Sequence, residues 1–229
     1  MELYLIRHAQ SGNNALASAE GRHQDPPLTG VGERQADLVG LHLASGPAKC
    51  PATRDSPAEG FGLDHLYCSA HLRCLQTADR IAEHTGLVPE IWVDMHEQMG
   101  IWLKGVDVLP GLTPAEIRDR FPRVKVPADM PESGWWNRPV ETQPQWEARA
   151  AHVAQTLRQQ MAHRDARLGV VTHGGFTRVL LATLLHGGPL SGDTFAVDNT
   201  SIHRIDFGPD GILVRYLNRI EHLPPDLVT

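Results

Sequence analysis

The sequence is poor in the features that point to membranes, oxidising compartments or polyanions. No apolar run approaches the ~20 residues that span a bilayer. The opening apolar stretch, residues 1–6, is too short for a signal-peptide core and runs straight into Arg7 and His8. Cysteine is scarce: the three residues Cys50, Cys68 and Cys74 are odd in number and lack C-x-x-C spacing, which reads as reduced thiols in a cytoplasmic protein. Positive charge is in deficit, with 21 Lys+Arg against 27 Asp+Glu and a net charge of −6. A general role on nucleic acid needs a basic face and is therefore excluded, whereas a small anion needs only a few local cations.

Other motifs fail on counting. There is no P-loop and no G-x-S-x-G, Gly30-Val31-Gly32 lacks the third glycine of a dinucleotide fingerprint, and His96-Glu97 is not followed by the second histidine of a zinc helix. Cys68 and Arg73 stand one residue too close for a cysteine-dependent phosphatase loop, so Cys68 is expected to be a small buried hydrophobe.

What is present is a chain of 229 residues, 41% hydrophobic and 21% charged, able to bury a core without staples. Short apolar runs at 2–6, 64–68, 90–93 and 168–172 predict strands, and 201–206 and 212–217 predict two more around the turn Gly208-Pro209-Asp210-Gly211. Helices are expected at 31–43 behind the cap Thr29, at 71–84, behind the capping box Thr113-Pro114-Ala115-Glu116, at 142–163 and at 174–185. In the fourth of these, Trp146, Ala150, Val153, Leu157 and Met161 recur at helical spacing. Alternating strands and helices predict an α/β three-layer sandwich, a mostly parallel central sheet flanked by helices. The 44–62 segment reads as an exposed loop, and about 97–141 as a lid-like insertion covering one edge of a single domain that spans 1–229.

Three polar clusters follow predicted strands: Arg7-His8, Ser69 to Arg73, and His173-Gly174-Gly175. Ligands in open α/β sheets bind outside the carboxyl ends of the strands. Arginine's fork matches phosphate oxygens in pairs, and a helix opening at Gly174 offers backbone N–H groups to an anion. Two arginines and two histidines so placed predict a phosphoryl pocket.

These residues resemble a known family. Arg7-His8-Ala9-Gln10-Ser11-Gly12-Asn13-Asn14 is similar to the R-H-G-[EQ]-[ST]-x-x-N signature of the histidine phosphatase superfamily, which has the phosphoglycerate-mutase-like fold. Further matches follow in order: Leu28-Thr29-Gly30, Ser69 with Arg73 and Gln76-Thr77-Ala78, Glu97 with Gly100 and Trp102, Thr172-His173-Gly174-Gly175, and Asn199-Thr200-Ser201. Ala9 stands where the family has glycine, Ala70 where proline is common, and the step from Glu97 to Gly100 is one residue short.

The resemblance implies a histidine acid-type phosphatase, a phosphoric monoester hydrolase that needs no metal or other cofactor. His8 would be the nucleophile. Arg7, Arg73, His173 and Asn14 would hold the phosphoryl oxygens, and Glu97 would serve as acid and then base. Gln24, Gly174 and Trp102 are candidates for substrate contact, with Trp136 as a rival to Trp102. His96 is expected to be a solvated neighbour of Glu97, and Arg118, Arg120, Arg123 and Lys125 a solvated helix face. The expected partner is a small phosphorylated metabolite, with no nucleic acid and no membrane. A phosphoglycerate-mutase-type phosphotransferase and a non-catalytic phosphate-binding domain stand as alternatives. The paired arginines and tyrosine-glycine that follow the acid in the mutases are missing here.

Overall fold

The computed structural model describes residues 1–46, 60–161, 165–188, 195–209 and 211–229. Cys50, most of the 44–62 loop, the end of the predicted 142–163 helix and Asp210 lie outside them.

The first strand sets the plan. In β1 (Glu2–Arg7) five consecutive residues are buried, as a strand covered on both faces requires. Its side chains alternate between two cores. Leu3 and Leu5 enter one, Tyr4 and Ile6 the other. Full burial of each aliphatic side chain contributes about 1.5–3 kcal/mol relative to exposure. The first core is closed by α5 (Gln143–Thr156) and α6 (Gly174–His186), the second by α2 (Gly30–Ser45) and α3 (Leu72–Thr85). This is the expected three-layer arrangement.

The sheet has six strands in the order β3-β2-β4-β1-β5-β6. β2 (His65–Cys68), β3 (Pro89–Ile91), β4 (Arg167–Thr172) and β1 run parallel to one another. β5 (Ile202–Gly208) and β6 (Gly211–Arg219) add antiparallel. The sheet is thus mixed, with its parallel part central.

Local signals fell where expected at several ends. Thr29 caps α2, its side chain accepting from the Gly32 amide at 3.0 Å. The box at Thr113 and Glu116 opens α4 (Pro114–Arg120). α3 ends on Gly86 in the left-handed conformation that glycine adopts without penalty. Two of the predicted ends differ. β3 stops at Ile91, and a 3₁₀ turn, Val93–Met95, follows. α5 gives way after Thr156 to a π turn, Leu157–Met161. Between β1 and α2, α1 (Gly12–Ala15) forms a single turn closed by Ser11 and Asn14. Beside β3, the Lys125 amide donates to the Pro89 carbonyl at 2.8 Å, and the Ile91 amide to the Lys125 carbonyl at 3.1 Å. Arg123 and Lys125 are not a solvated helix face. They lie beyond α4 and pair with Asp79 and Glu83 of α3 and with Glu90 of β3.

Candidate active site

β4 lies between β2 and β1, so their carboxyl ends meet at one place. Arg7 is in register with Thr172. The His8 amide donates to the Thr172 carbonyl at 2.9 Å, and the Ser69 amide to the Val171 carbonyl at 3.0 Å. Residues that follow these positions therefore converge, although the chain separates them widely.

His8 is buried. Its Nδ1 lies 2.7 Å from the Ala9 carbonyl oxygen, which can only accept, so Nδ1 carries the proton. Arg73 Nε donates to His8 Nε2 at 3.2 Å, which calls for the same tautomer, with the lone pair on Nε2. Burial, and then the charges of Arg73 and Arg7, hold this imidazole well below its usual 6.5, against the pull of the Ala9 contact. The backbone is fixed as well: Asn199 Nδ2 donates to the His8 carbonyl at 2.9 Å, and the Ala9 amide donates to Thr77 Oγ1 at 3.1 Å.

Two guanidiniums flank the ring. Arg73 stands in the first turn of α3, its Nη1 3.4 Å from Asp25. Asp25 also accepts from the Leu72 amide at 3.1 and 3.2 Å. Burial raises the Asp25 carboxyl to about 6, with Arg73 and the Leu72 amide opposing. Arg7 donates from Nη1 to the Val197 carbonyl at 2.6 Å, while its buried Nε has no hydrogen-bond partner among the described residues. A Cβ at Gly174 would stand 3.3 Å from that Nε, so glycine leaves the donor uncovered on one side.

His173 is fully buried and meets His8 edge-on, with ring centroids 5.2 Å apart. Its Nε2 lies 2.9 Å from Ser69 Oγ and 3.4 Å from Cys74 Sγ. Burial lowers its pKa well below 6.5, with Arg73 and the neighbouring imidazoles of His71 and His8 acting in the same direction. Cys68 is the buried hydrophobe expected, its thiol pushed up to about 12 by burial.

Glu97 follows the 3₁₀ turn, which Thr172 holds by donating from its hydroxyl to the Met95 carbonyl at 2.7 Å. The short step from Glu97 to Gly100 is closed by two left-handed residues, Met99 at φ 67° and Gly100 at φ 78°. The carboxylate faces the amino end of α6. Its Oε1 accepts from the Phe176 amide at 2.8 Å and the Gln98 amide at 2.9 Å, and its Oε2 from the Gly175 amide at 3.3 Å. The helix end read as an anion site for substrate thus already holds an anion supplied by the protein.

Arg7, His8, Asn14, Gln24, Arg73, Glu97, Trp102 and Gly174 all line one cleft of about 470 Å³. Of the nine residues singled out from sequence, His173 alone lies behind that lining. A larger hollow of about 750 Å³ opens by Met1, Leu184 and Phe207, but its described lining contains no histidine. Gln24 reaches the cleft with its amide engaged: Nε2 donates to the Asp107 carbonyl at 2.6 Å, and Oε1 accepts from the Leu109 amide at 2.9 Å. It ties the Asp107 and Leu109 backbone to the loop before α2. Trp102 is half-exposed at the cleft, whereas its rival Trp136 is buried against His96 and Trp135. His96 corrects the expectation of a solvated neighbour. It is fully buried, with Nε2 3.3 Å from Glu141 Oε2.

A family model described as the histidine phosphatase superfamily (branch 1) matches residues 3–220. The chain belongs to that superfamily. Over 87 residues, 38% of this chain, it is 34% identical to a segment making up 33% of the probable phosphoglycerate mutase GpmB of Yersinia enterocolitica. The curated relatives are each matched over less than two thirds of their length, at 33%, 10% and 65%. Among solved structures, a putative alpha-ribazole-5'-P phosphatase from Escherichia coli superposes with a TM-score of 0.63 at 21% identity, covering 96% of each chain. A phosphoserine phosphatase from Entamoeba histolytica gives 0.63 at 21% identity, covering 97% of this chain and 99% of that one. These similarities establish the phosphoglycerate-mutase-like fold.

The two alanine departures are accommodated by packing. Ala9 and Ala70 are both fully buried, and the Ala9 methyl packs with Leu28 and Ala36. Sequence reasoning missed Asp25, Arg22, Gln98 and Arg178. The last three line the cleft, and Asp25 braces Arg73 from behind. Asp25 sits three residues before the matched Leu28-Thr29-Gly30 segment, which was its one signal. Among the described residues no helix is long and apolar enough to cross a membrane.

Proposed function

We propose that the protein is a phosphomonoesterase that hydrolyses a small phosphorylated metabolite through a phosphohistidine on His8, with no metal in the reaction. The observation that carries this reading is the His8 tautomer: Nδ1–H bound to the Ala9 carbonyl and an unprotonated Nε2 facing Arg73. A neutral imidazole oriented in this way is a nucleophile that needs no prior deprotonation. In the first step the negative charge of the bound ester keeps a proton on Glu97, Nε2 attacks phosphorus, the ester P–O bond breaks and the departing oxygen takes that proton. In the second, water attacks the phosphohistidine, gives a proton to Glu97 and releases phosphate as the N–P bond breaks. Arg7 and Arg73, with Asn14 at the rim, bind the phosphoryl oxygens and offset their charge. His173 supports the ring of His8 from beneath. Gln24, Trp102 and Gly174 shape the space for the rest of the ester. The free thiols of Cys68 and Cys74 agree with a reducing, cytoplasmic setting.

A mutase would hand the phosphoryl group to a substrate hydroxyl instead of water. The stretch directly after Glu97 gives the cleft Gln98, Gly100 and Trp102 and carries no arginine pair of the kind that follows the acid in the mutases, which favours hydrolysis; the further cleft arginines, Arg22 and Arg178, come from other segments. The test is phosphate release from p-nitrophenyl phosphate without added metal, together with rapid-quench trapping of acid-labile phosphate on the protein. Both signals are expected from the wild type and neither from His8→Ala. A fully active His8→Ala protein would sink the covalent mechanism. Binding of phosphate without turnover would establish the non-catalytic alternative.

A further inference from the structure

We infer that Arg149 is a positioning residue that sets the Glu97 carboxyl for proton transfer, and that Glu141 holds Arg149 in that role. This rests on the proposed function of Glu97. Arg149 is buried on α5 and is not part of the cleft lining. Its guanidinium has five N–H donors, and five contacts use them. Nη1 donates to the carbonyls of Asp94 at 2.7 Å and His96 at 3.0 Å, and Nη2 to that of Glu97 at 3.3 Å. Nε and Nη2 donate to the two Glu141 oxygens at 3.0 and 2.8 Å. The guanidinium carbon also lies 4.3 Å from the ring centroid of Phe176, the residue whose amide binds the Glu97 carboxylate. One planar cation therefore fixes three carbonyls of the acid-bearing segment and packs on the helix end that receives the acid. Glu141, at the far end of the insertion, closes the arrangement from the lid side and also meets His96. Lysine cannot reproduce this, having three donors and no plane.

The experiment compares kcat/KM on two esters. p-Nitrophenyl phosphate has a leaving group that departs without a proton, whereas glycerol 2-phosphate leaves as an alkoxide unless protonated. Because kcat/KM reports the transition state for ester cleavage against free enzyme and substrate, a loss confined to the alkyl ester marks impaired proton donation. Glu97→Gln is the reference, and a general acid supplies about 10²–10⁴-fold. Arg149→Met is expected to lose about 10²-fold on glycerol 2-phosphate, the scale of a misplaced catalytic group. Its loss on p-nitrophenyl phosphate is expected to be several times smaller, and Arg149→Lys is expected to follow the same pattern. A selective loss in Glu97→Gln with an equal loss on both esters, or none, in Arg149→Met overturns the positioning role while leaving the acid assignment intact. An unselective Glu97→Gln overturns the acid assignment and this inference with it. Should Arg149→Met fail to fold, Glu141→Gln is judged by the same criteria.

Discussion

Gly100→Ala tests how rigidly the Trp136 indole is packed against Gly100, which lines the cleft. Gly100 has φ 78°, and a Cβ there would stand 2.0, 2.1 and 2.5 Å from Cη2, Cζ2 and Cζ3 of Trp136. The indole cannot easily yield: it is buried, edge-on to His96 at 5.0 Å and Trp135 at 5.6 Å, with the Arg138 guanidinium 4.5 Å from its centroid. Two costs add. The left-handed backbone costs a non-glycine residue about 1–2 kcal/mol, and overpacking a filled core costs about 1–3 kcal/mol. The sum is about 2–5 kcal/mol. Gly105→Ala is the control, since Gly105 has φ 77° but nothing within 4 Å of an added Cβ, so only the backbone cost applies. Urea unfolding followed by tryptophan fluorescence should lower the midpoint of both variants at unchanged slope. Gly100→Ala should be the less stable by about 1–3 kcal/mol. Equal midpoint shifts would refute the reasoning, because they would show that Trp136 moves aside at no cost.

Three further outcomes are expected. A Cβ on Gly175 would lie 2.6 Å from Glu97 Oε1 and Gln98 Oε1, both ends of side chains, so Gly175→Ala should displace the carboxyl and cut kcat/KM on alkyl phosphates by about 10²-fold. Its thermal midpoint should barely change. The Glu141 carboxyl is opposed by burial, but hydrogen bonds from His96 and Arg149 and their charges lower it from 4.5 to about 2. Its stabilisation is therefore complete above 4.5 and lost as pH falls toward 2, a decline that Glu141→Gln should flatten in acid-unfolding curves. Asp25 has the opposite sign. Its folded pKa is raised from 3.8 to about 6, so its contribution is present below 3.8 and lost as pH rises through about 6. Asp25→Asn should remove that loss while loosening Arg73, giving a raised KM in steady-state assays.

Much of the site could be read from residue order because its parts are local. Arg7 with His8, Ser69 with Arg73, and His173 with Gly174 each sit within a few residues of a strand end, and strand ends of a parallel sheet converge by topology. The caps at Thr29 and Thr113 are local for the same reason. What escaped detection is held by contacts across long stretches of chain. Asp25 reaches Arg73 over 48 residues, and Arg149 reaches Glu97 over 52. His96 shows the same limit. Beside an acid in a segment broken by prolines it resembles a surface residue, and only the packing of Trp135 and Trp136 around it makes it core. The engagement of the α6 amino end by Glu97 was equally hidden, because spacing gives no information on which of two anions occupies a set of donors.

The clustered imidazoles have a consequence for how the cleft attracts its ligand. His8, His71 and His173 are all held well below 6.5, by burial first and then by the Arg73 charge. The positive charge facing the cleft therefore comes from guanidiniums, those of Arg7, Arg22, Arg73 and Arg178. The pull on an incoming phosphate ester then weakens as Asp25, beside Arg73, ionises at about 6, while the ester's own second ionisation, near pH 6 for a phosphomonoester, strengthens it. Salt concentration, which screens this pull within a Debye length of about 8 Å at physiological ionic strength, becomes the variable that tunes capture from the solvent side.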